Sequence, residues 1–235
     1  WITTTDPGPE FRDQLRAAIG TSLDGDADAG VFVRSDTNVE DLPGFTGAGL
    51  NLTVPNVIGF EQIVAAVQAV WASPFTERAY SWRQAHMEQP AYVSPAVVVQ
   101  RSFPSEKSGV MVTTDLESRK PGWISIAVSE GVGGAVDGQA AESLRVYLAS
   151  GETRLLAMAS APFRRVLTND GGLQTVRASG TDAVLRRNEI LQLITLARDV
   201  DARFPGLTRA DGSRAPADVE FAFRDGQLAV LQIRP

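Results

Sequence analysis

Cysteine is absent from the 235 residues. Disulfides and thiolate metal sites are therefore excluded, and no compartment is ruled out on redox grounds. Lysine is almost absent too: Lys107 and Lys120 stand alone, so arginine carries nearly all the positive charge. The net charge of -6, with a pI near 4.9, argues against a nucleic-acid-binding surface. No apolar run approaches the ~20 residues that a membrane-spanning helix needs. There is no signal-peptide pattern, internal repeat or low-complexity linker. The first residue is Trp1 rather than Met, so the sequence reads as a piece excised from a longer protein. What is present is ordinary for a globular chain: 43% hydrophobic and 21% charged residues, enough for one large domain or two small ones.

The last eighteen residues, Asp218 to Pro235, hold the most information. Two short runs flank Arg224-Asp225-Gly226, a turn signal. A three-residue loop with Gly226 in the left-handed position pairs Phe223 with Gln227 and Glu220 with Val230. That register puts Val219, Phe221, Phe223, Ala229, Leu231 and Ile233 on one face. The other face carries Asp218, Glu220, Gln232 and Arg234. A two-residue loop slips the register by one and mixes the faces, so the three-residue loop is predicted. On the polar face, Glu220 and Gln232 offer oxygens to a hard cation, and Arg234 offers a planar fork to a phosphate. The alternative is a half-exposed hairpin with a wet face.

From the other end, residues 7–19 read as a helix capped by Asp6 and ended by Gly20, with Phe11, Leu15, Ala18 and Ile19 as its apolar stripe. A short strand, Gly30 to Val33, leads into Arg34. Residues 34–50 show no regular period and contain Gly44, Gly47 and Gly49, which would let backbone N–H groups approach a phosphate. Arg34 at the strand end fits that reading; an ion pair with Asp36, Glu40 or Asp41 fits equally. Amphipathic helices are predicted over 59–72 and 75–86. His86, the only histidine, reads as structural. Val97 to Gln100 is predicted as a buried strand, Gly109 to Thr113 and Trp123 to Val128 as further strands, and 144–149 with 153–159 as a hairpin. Short connections make these antiparallel. The glycines of 131–134 and Gly138 match no nucleotide fingerprint and read as turns. The longest helix spans 186–204.

Four stretches, in order, resemble one family. VRSDTNVEDLPGFTGAG (Val33 to Gly49) resembles the VRSS-x-x-x-EDLP-x-x-SFAG stretch of phosphoenolpyruvate synthases. WASPFTERAYSWR (Trp71 to Arg83) resembles their WAS-L-F-T-x-R-A-x-x-Y-R helix. VVVQRSFPSEKSGVMVTTD (Val97 to Asp115) and the terminal DVEFAFRDGQLAVLQIRP resemble their VxVQxMV…SGVMFT and DIEWA…LQ-x-RP segments. The chain is thus similar to the AMP/ATP-binding domain of the pyruvate phosphate dikinase group, which also includes rifamycin phosphotransferases and glucan, water dikinases.

The resemblance implies an α+β, ATP-grasp-like nucleotide-binding domain over 1–235, with a mixed, mainly antiparallel sheet flanked by helices. Two lobes, about 1–92 and 93–235, are expected, and the N-terminal lobe of the complete fold would precede Trp1. It implies ATP and Mg2+ as cofactors. By position, Arg34 contacts ATP phosphates, Gly47 belongs to the phosphate loop, and Gln100, Arg101 and Ser102 form the hinge strand that holds adenine mostly through backbone groups. Glu220 and Gln232 lie on the metal side, and Arg234 binds phosphate, so Arg34 and Arg234 are the implied catalytic residues. The implied reaction is that of a kinase-type dikinase or phosphotransferase, in which a phosphoryl group moves from ATP to a histidine on another domain and then to an acceptor. The implied partners are the phosphohistidine and acceptor domains of the same parent chain, in the cytoplasm, with no membrane and no nucleic acid. Neither of those domains, nor the lobe whose lysine reaches the phosphates, is in this sequence, so the piece alone is expected to be inactive. The alternative is a degenerate, non-catalytic relative with a regulatory or interaction role.

Overall fold

Buried apolar side chains fall into two clusters, and the chain divides into two units, Trp1–Ser102 with Leu167–Leu173, and Phe103–Val166 with Gln174–Pro235. The computed structural model describes residues 1–23, 30–38, 41–42, 45–46, 51–118, 120–136, 138–180, 183–204, 212 and 215–234.

In the first unit, α1 (Pro9–Ser22) starts at Gly8, and Asp6 Oδ1 accepts the Gly8 N–H at 2.8 Å rather than capping the helix. The helix also runs through Gly20, where a stop was predicted, and ends at Leu23. A glycine inside an exposed helix costs about 1 kcal/mol, which does not terminate it when the next turn still packs; Ile19 and Leu23 are both in the core. Strand β1 (Val31–Ser35) precedes β2 (Asp41–Leu42) and β3 (Phe45–Thr46), which pair with each other, and β4 (Thr53–Val57), which sequence periodicity did not reveal. Helix α2 (Phe60–Ala72) buries Ile63, Val64, Ala66, Val67 and Val70 at the predicted spacing. A 3-10 turn (Ser73–Phe75) leads to α3 (Glu77–His86), whose N-cap Thr76 side chain accepts the Ala79 N–H. Strand β5 (Val97–Arg101) closes a sheet of order β4-β1-β5. It is not the buried strand predicted. It is an edge: Val97 and Val99 pack on the core, while Val98 is 42% exposed.

The second unit is an antiparallel sheet of order β13-β12-β6-β7-β8-β9. Its strands are β6 (Lys107–Val112), β7 (Trp123–Glu130), β8 (Glu142–Tyr147), β9 (Thr153–Ala157), and, at the other end of the chain, β12 (Asp218–Arg224) and β13 (Gln227–Arg234). Between them lie the unforeseen hairpin β10 (Phe163–Leu167) and β11 (Leu173–Arg177), and helix α4 (Arg187–Arg203). The expected mixed character does not hold: among the described residues, every pairing in the two larger sheets is antiparallel, as short connections favour.

Alternation along these strands sends Met111, Ile124, Ile126, Val128, Leu144, Val146, Val219, Phe221 and Phe223 to one face, where α4 adds Leu193, Ile194, Ala197 and Val200. Two buried carboxylates fix that helix. Glu142 accepts the N–H groups of Val184 and Leu185 at 2.8 and 3.1 Å. Glu189, in the first turn of α4, accepts both from Lys107 Nζ (2.8 and 2.7 Å) and from the Arg186 N–H (2.6 Å). One of the two lysines is thereby committed to the core.

Candidate functional site

The candidate site on the second unit is the polar face of the β12–β13 hairpin, and its geometry differs from the predicted one. The loop has two residues, Asp225 and Gly226, both at positive φ (51° and 72°), and Arg224 pairs with Gln227. Positive φ at both central residues is the type I′ signature that two-residue hairpins favour, because its twist matches that of the strands. The slip this should cause is cancelled farther along. The register shifts between Phe221, which pairs with Val230, and Glu220, which pairs with Gln232. Leu231 is thus a β-bulge, an extra residue that flips the side-chain alternation of the rest of β13. Beyond it, Glu220 faces Gln232 and Asp218 faces Arg234, so all four polar groups share the face opposite Val219 and Phe221.

On that face, Arg234 donates from one terminal nitrogen to Asp218 Oδ2 at 3.2 Å and to Glu220 Oε1 at 3.4 Å. The Glu220 side chain is only 12% exposed, and those of Arg234 and Asp218 are 24% and 35% exposed. Glu220 is therefore held by the fold, while Arg234 and Asp218 keep a solvent-facing edge. The sequence pattern puts Asp218 on the polar face, and the family resemblance implies no role for it there. Among the described residues no three histidine or acidic groups form a metal cage. A carboxylate faced by an amide oxygen nevertheless fits Mg2+, which is commonly bound through one or two carboxylates plus substrate phosphates.

In the first unit, β1 and β5 bring Arg34 and Gln100 together. Arg34 pairs with Val98 and Phe32 with Gln100, so Arg34 and Gln100 are diagonal neighbours on the face away from the core. Arg34 Nη1 donates to Gln100 Oε1 at 3.3 Å. The ladder continues past Arg34, where Asp36 N–H donates to Ala96 O at 3.0 Å. Asn38 then bonds both Tyr92 O (3.4 Å) and the Ser94 N–H (2.7 Å). The start of the glycine-rich stretch is thus pinned to the chain before β5. Gly47 lies outside the described residues. Arg101 is not on the Arg34 face: it pairs with Val31, and its guanidinium donates to Leu23 O. Ser102 N–H donates to Gly30 O at 2.8 Å, and Ser102 is the last residue of the unit before Phe103.

Three other sequence features are structural. The N–H groups of Gly131, Val132 and Gly133 already go to Glu106 O, Arg165 O and Ser108 Oγ, so that glycine cluster is a closed turn. His86 stacks on Trp82 at 4.2 Å, with Nδ1 2.9 Å from Trp82 O. The motif arginine Arg83 is buried and donates to Pro74 O and Pro90 O; desolvation lowers its pKa below the usual guanidinium value. No described helix is long and apolar enough to cross a membrane.

By architecture this is an α+β protein of antiparallel sheets, with acid, amide and guanidinium groups gathered on one hairpin face. Its whole length, residues 1–235, matches the family described as pyruvate phosphate dikinase, AMP/ATP-binding domain, and the chain belongs to that family. It is 34% identical over 211 residues to a probable phosphoenolpyruvate synthase of Archaeoglobus fulgidus, covering 87% of this chain and 26% of that protein. It is 29% identical to a rifampicin phosphotransferase of Streptomyces sp (95% of this chain, 25% of that protein). To the phosphoenolpyruvate synthase of Pyrococcus furiosus it is 28% identical (100% and 29%). The chain thus spans between a quarter and a third of the length of these curated relatives.

Proposed function

We propose that the chain is the ATP-binding part of an ATP-grasp-type dikinase or phosphotransferase, whose remaining lobe and domains lie elsewhere in a longer parent chain. The reaction we assign is transfer of a phosphoryl group from ATP to a histidine on another domain and from there to an acceptor, as in phosphoenolpyruvate synthase. The observation that carries this reading is the hairpin face, where a bulge aligns Glu220 with Gln232 and Asp218 with Arg234. Family membership supplies the nucleotide.

Each group has a physical task. Glu220 and Gln232 would hold Mg2+, which when bound supplies positive charge against the phosphate oxygens. Arg234 presents fixed N–H donors to a phosphate, and its exposed edge leaves some of them accessible. Arg34 has the same chemistry, held by Gln100 at the root of the glycine-rich stretch that includes Gly47. The Gln100–Ser102 segment offers backbone groups to adenine, and the Arg101 side chain is not needed for that. Phosphoryl transfer makes few other demands on a protein, because its transition state is stabilised mainly by alignment and by positive charge on the oxygens.

Thermal unfolding with and without Mg·ATP tests the reading. A ligand near 100 Kd adds about 2.7 kcal/mol of stability. The expected result is a Mg2+-dependent rise in midpoint that is lost in Glu220→Ala. An equal rise in the variant would remove the hairpin from the site.

A further inference from the structure

The assignment above leaves Asp218 without a task, yet Asp218 makes the shorter of the two Arg234 contacts described for this face, 3.2 Å against 3.4 Å to Glu220. Asp218 and Glu220 are two positions apart on β12, so their carboxylates stand side by side. Two adjacent carboxylates repel each other, the more so where one of them is largely desolvated. Arg234 reaches both of them with its positive charge.

We propose that Arg234 is an internal placeholder for the divalent cation on Glu220, and that Asp218 is the positioning residue that keeps Arg234 in place when the cation arrives. This rests on reading Glu220 as the cation's ligand. A cation on Glu220 repels the guanidinium beside it. Without a second anchor, Arg234 would either compete for Glu220 or leave the face. Asp218 removes that conflict because the ladder already sets it opposite Arg234. The guanidinium can give up its 3.4 Å contact and keep its 3.2 Å one. Its five N–H donors allow one edge to stay on Asp218 while another takes a phosphate oxygen. Placeholder and phosphate ligand are then two settings of one side chain.

For Arg234 the proposal predicts effects of opposite sign on two probes, which a merely structural role would not produce. The protein and its variants are titrated calorimetrically with Mn2+ alone and, separately, with Mg·ATP. Arg234→Met should bind Mn2+ roughly tenfold more tightly, since one nearby like charge is removed, and Mg·ATP more weakly. Asp218→Asn is nearly isosteric and removes the charge behind the shorter of the two described contacts, so it should weaken both Mn2+ and Mg·ATP. Asp218→Glu should restore both in part. Unchanged or weaker Mn2+ binding by Arg234→Met overturns the placeholder, and unchanged binding by Asp218→Asn overturns the positioning role. If the unsubstituted protein binds neither probe, the nucleotide reading itself falls. If it binds both and Arg234→Met shifts both probes alike, only this inference falls.

Discussion

Asn56 sits at φ 48°, in the left-handed region that favours glycine, and is almost fully buried. Its side chain accounts for its presence there. Nδ2 donates to Thr168 O at 2.8 Å and to Gly172 O at 3.0 Å, while its own carbonyl accepts the Gly172 N–H at 2.8 Å. Asparagine tolerates this backbone better than most residues, and no other side chain of that size offers two amide hydrogens. Asn56→Ala should lose about 2 kcal/mol or more in urea unfolding, from two stranded carbonyls plus backbone strain. Asn56→Gly should lose less, because it removes the strain and keeps only the missing bonds. Equal losses would mean that the backbone is not strained. Asn56 gave no signal in the sequence, since its partners are more than a hundred positions away. The arginines show the same limit. Arg34 and Arg83 both stand in stretches that resemble family motifs, but one is half-buried on the sheet face away from the core and the other is spent on buried carbonyls. Charge and motif were legible; burial, which separates the two, was not.

At the scale of elements, periodicity located α2, α4 and most strands of the larger sheet, and α2, α4, β7 and β8 each bury a regular stripe. It missed β4, whose buried residues are the adjacent Asn56 and Val57, and the β10–β11 hairpin, in which no strand residue is fully buried. It also misjudged the terminal loop for an instructive reason. Uniform alternation requires a three-residue loop to keep the faces apart. The protein instead combines a two-residue loop with one extra residue, Leu231. Both arrangements separate apolar from polar groups, so the pattern alone could not choose between them. Deleting Leu231 tests what the bulge does. With the extra residue gone, Gln232 follows Val230 directly and still falls opposite Glu220, with Arg234 opposite Asp218, so the polar groups keep their face in a regular ladder. The expected outcome is a retained Mg·ATP-dependent rise in melting midpoint. Loss of that rise in a deletion variant that still folds would show that the bulge shapes the site beyond setting its register.

For the whole molecule, two separate cores imply two reservoirs of stability. Leu193→Ala, in the core under α4, should cost about 2–5 kcal/mol. Native-state hydrogen exchange is the discriminating readout. Amides of β12 and β6 should exchange faster in that variant, while those of β1 and α2 change little. Equal acceleration in both sets would mean that the units unfold as one.

The division into units has one more consequence, and it concerns inheritance. The turn that Asn56 grips belongs by sequence to the middle of the other unit, since Leu167–Leu173 interrupts Phe103–Val166 and Gln174–Pro235. Neither unit is a single stretch of gene. A recombination break after Ser102 would carry off Asn56 without the carbonyls that satisfy its amide, and would leave the hairpin tip without its seat. The two halves can diverge residue by residue, but they cannot be shuffled as separate modules.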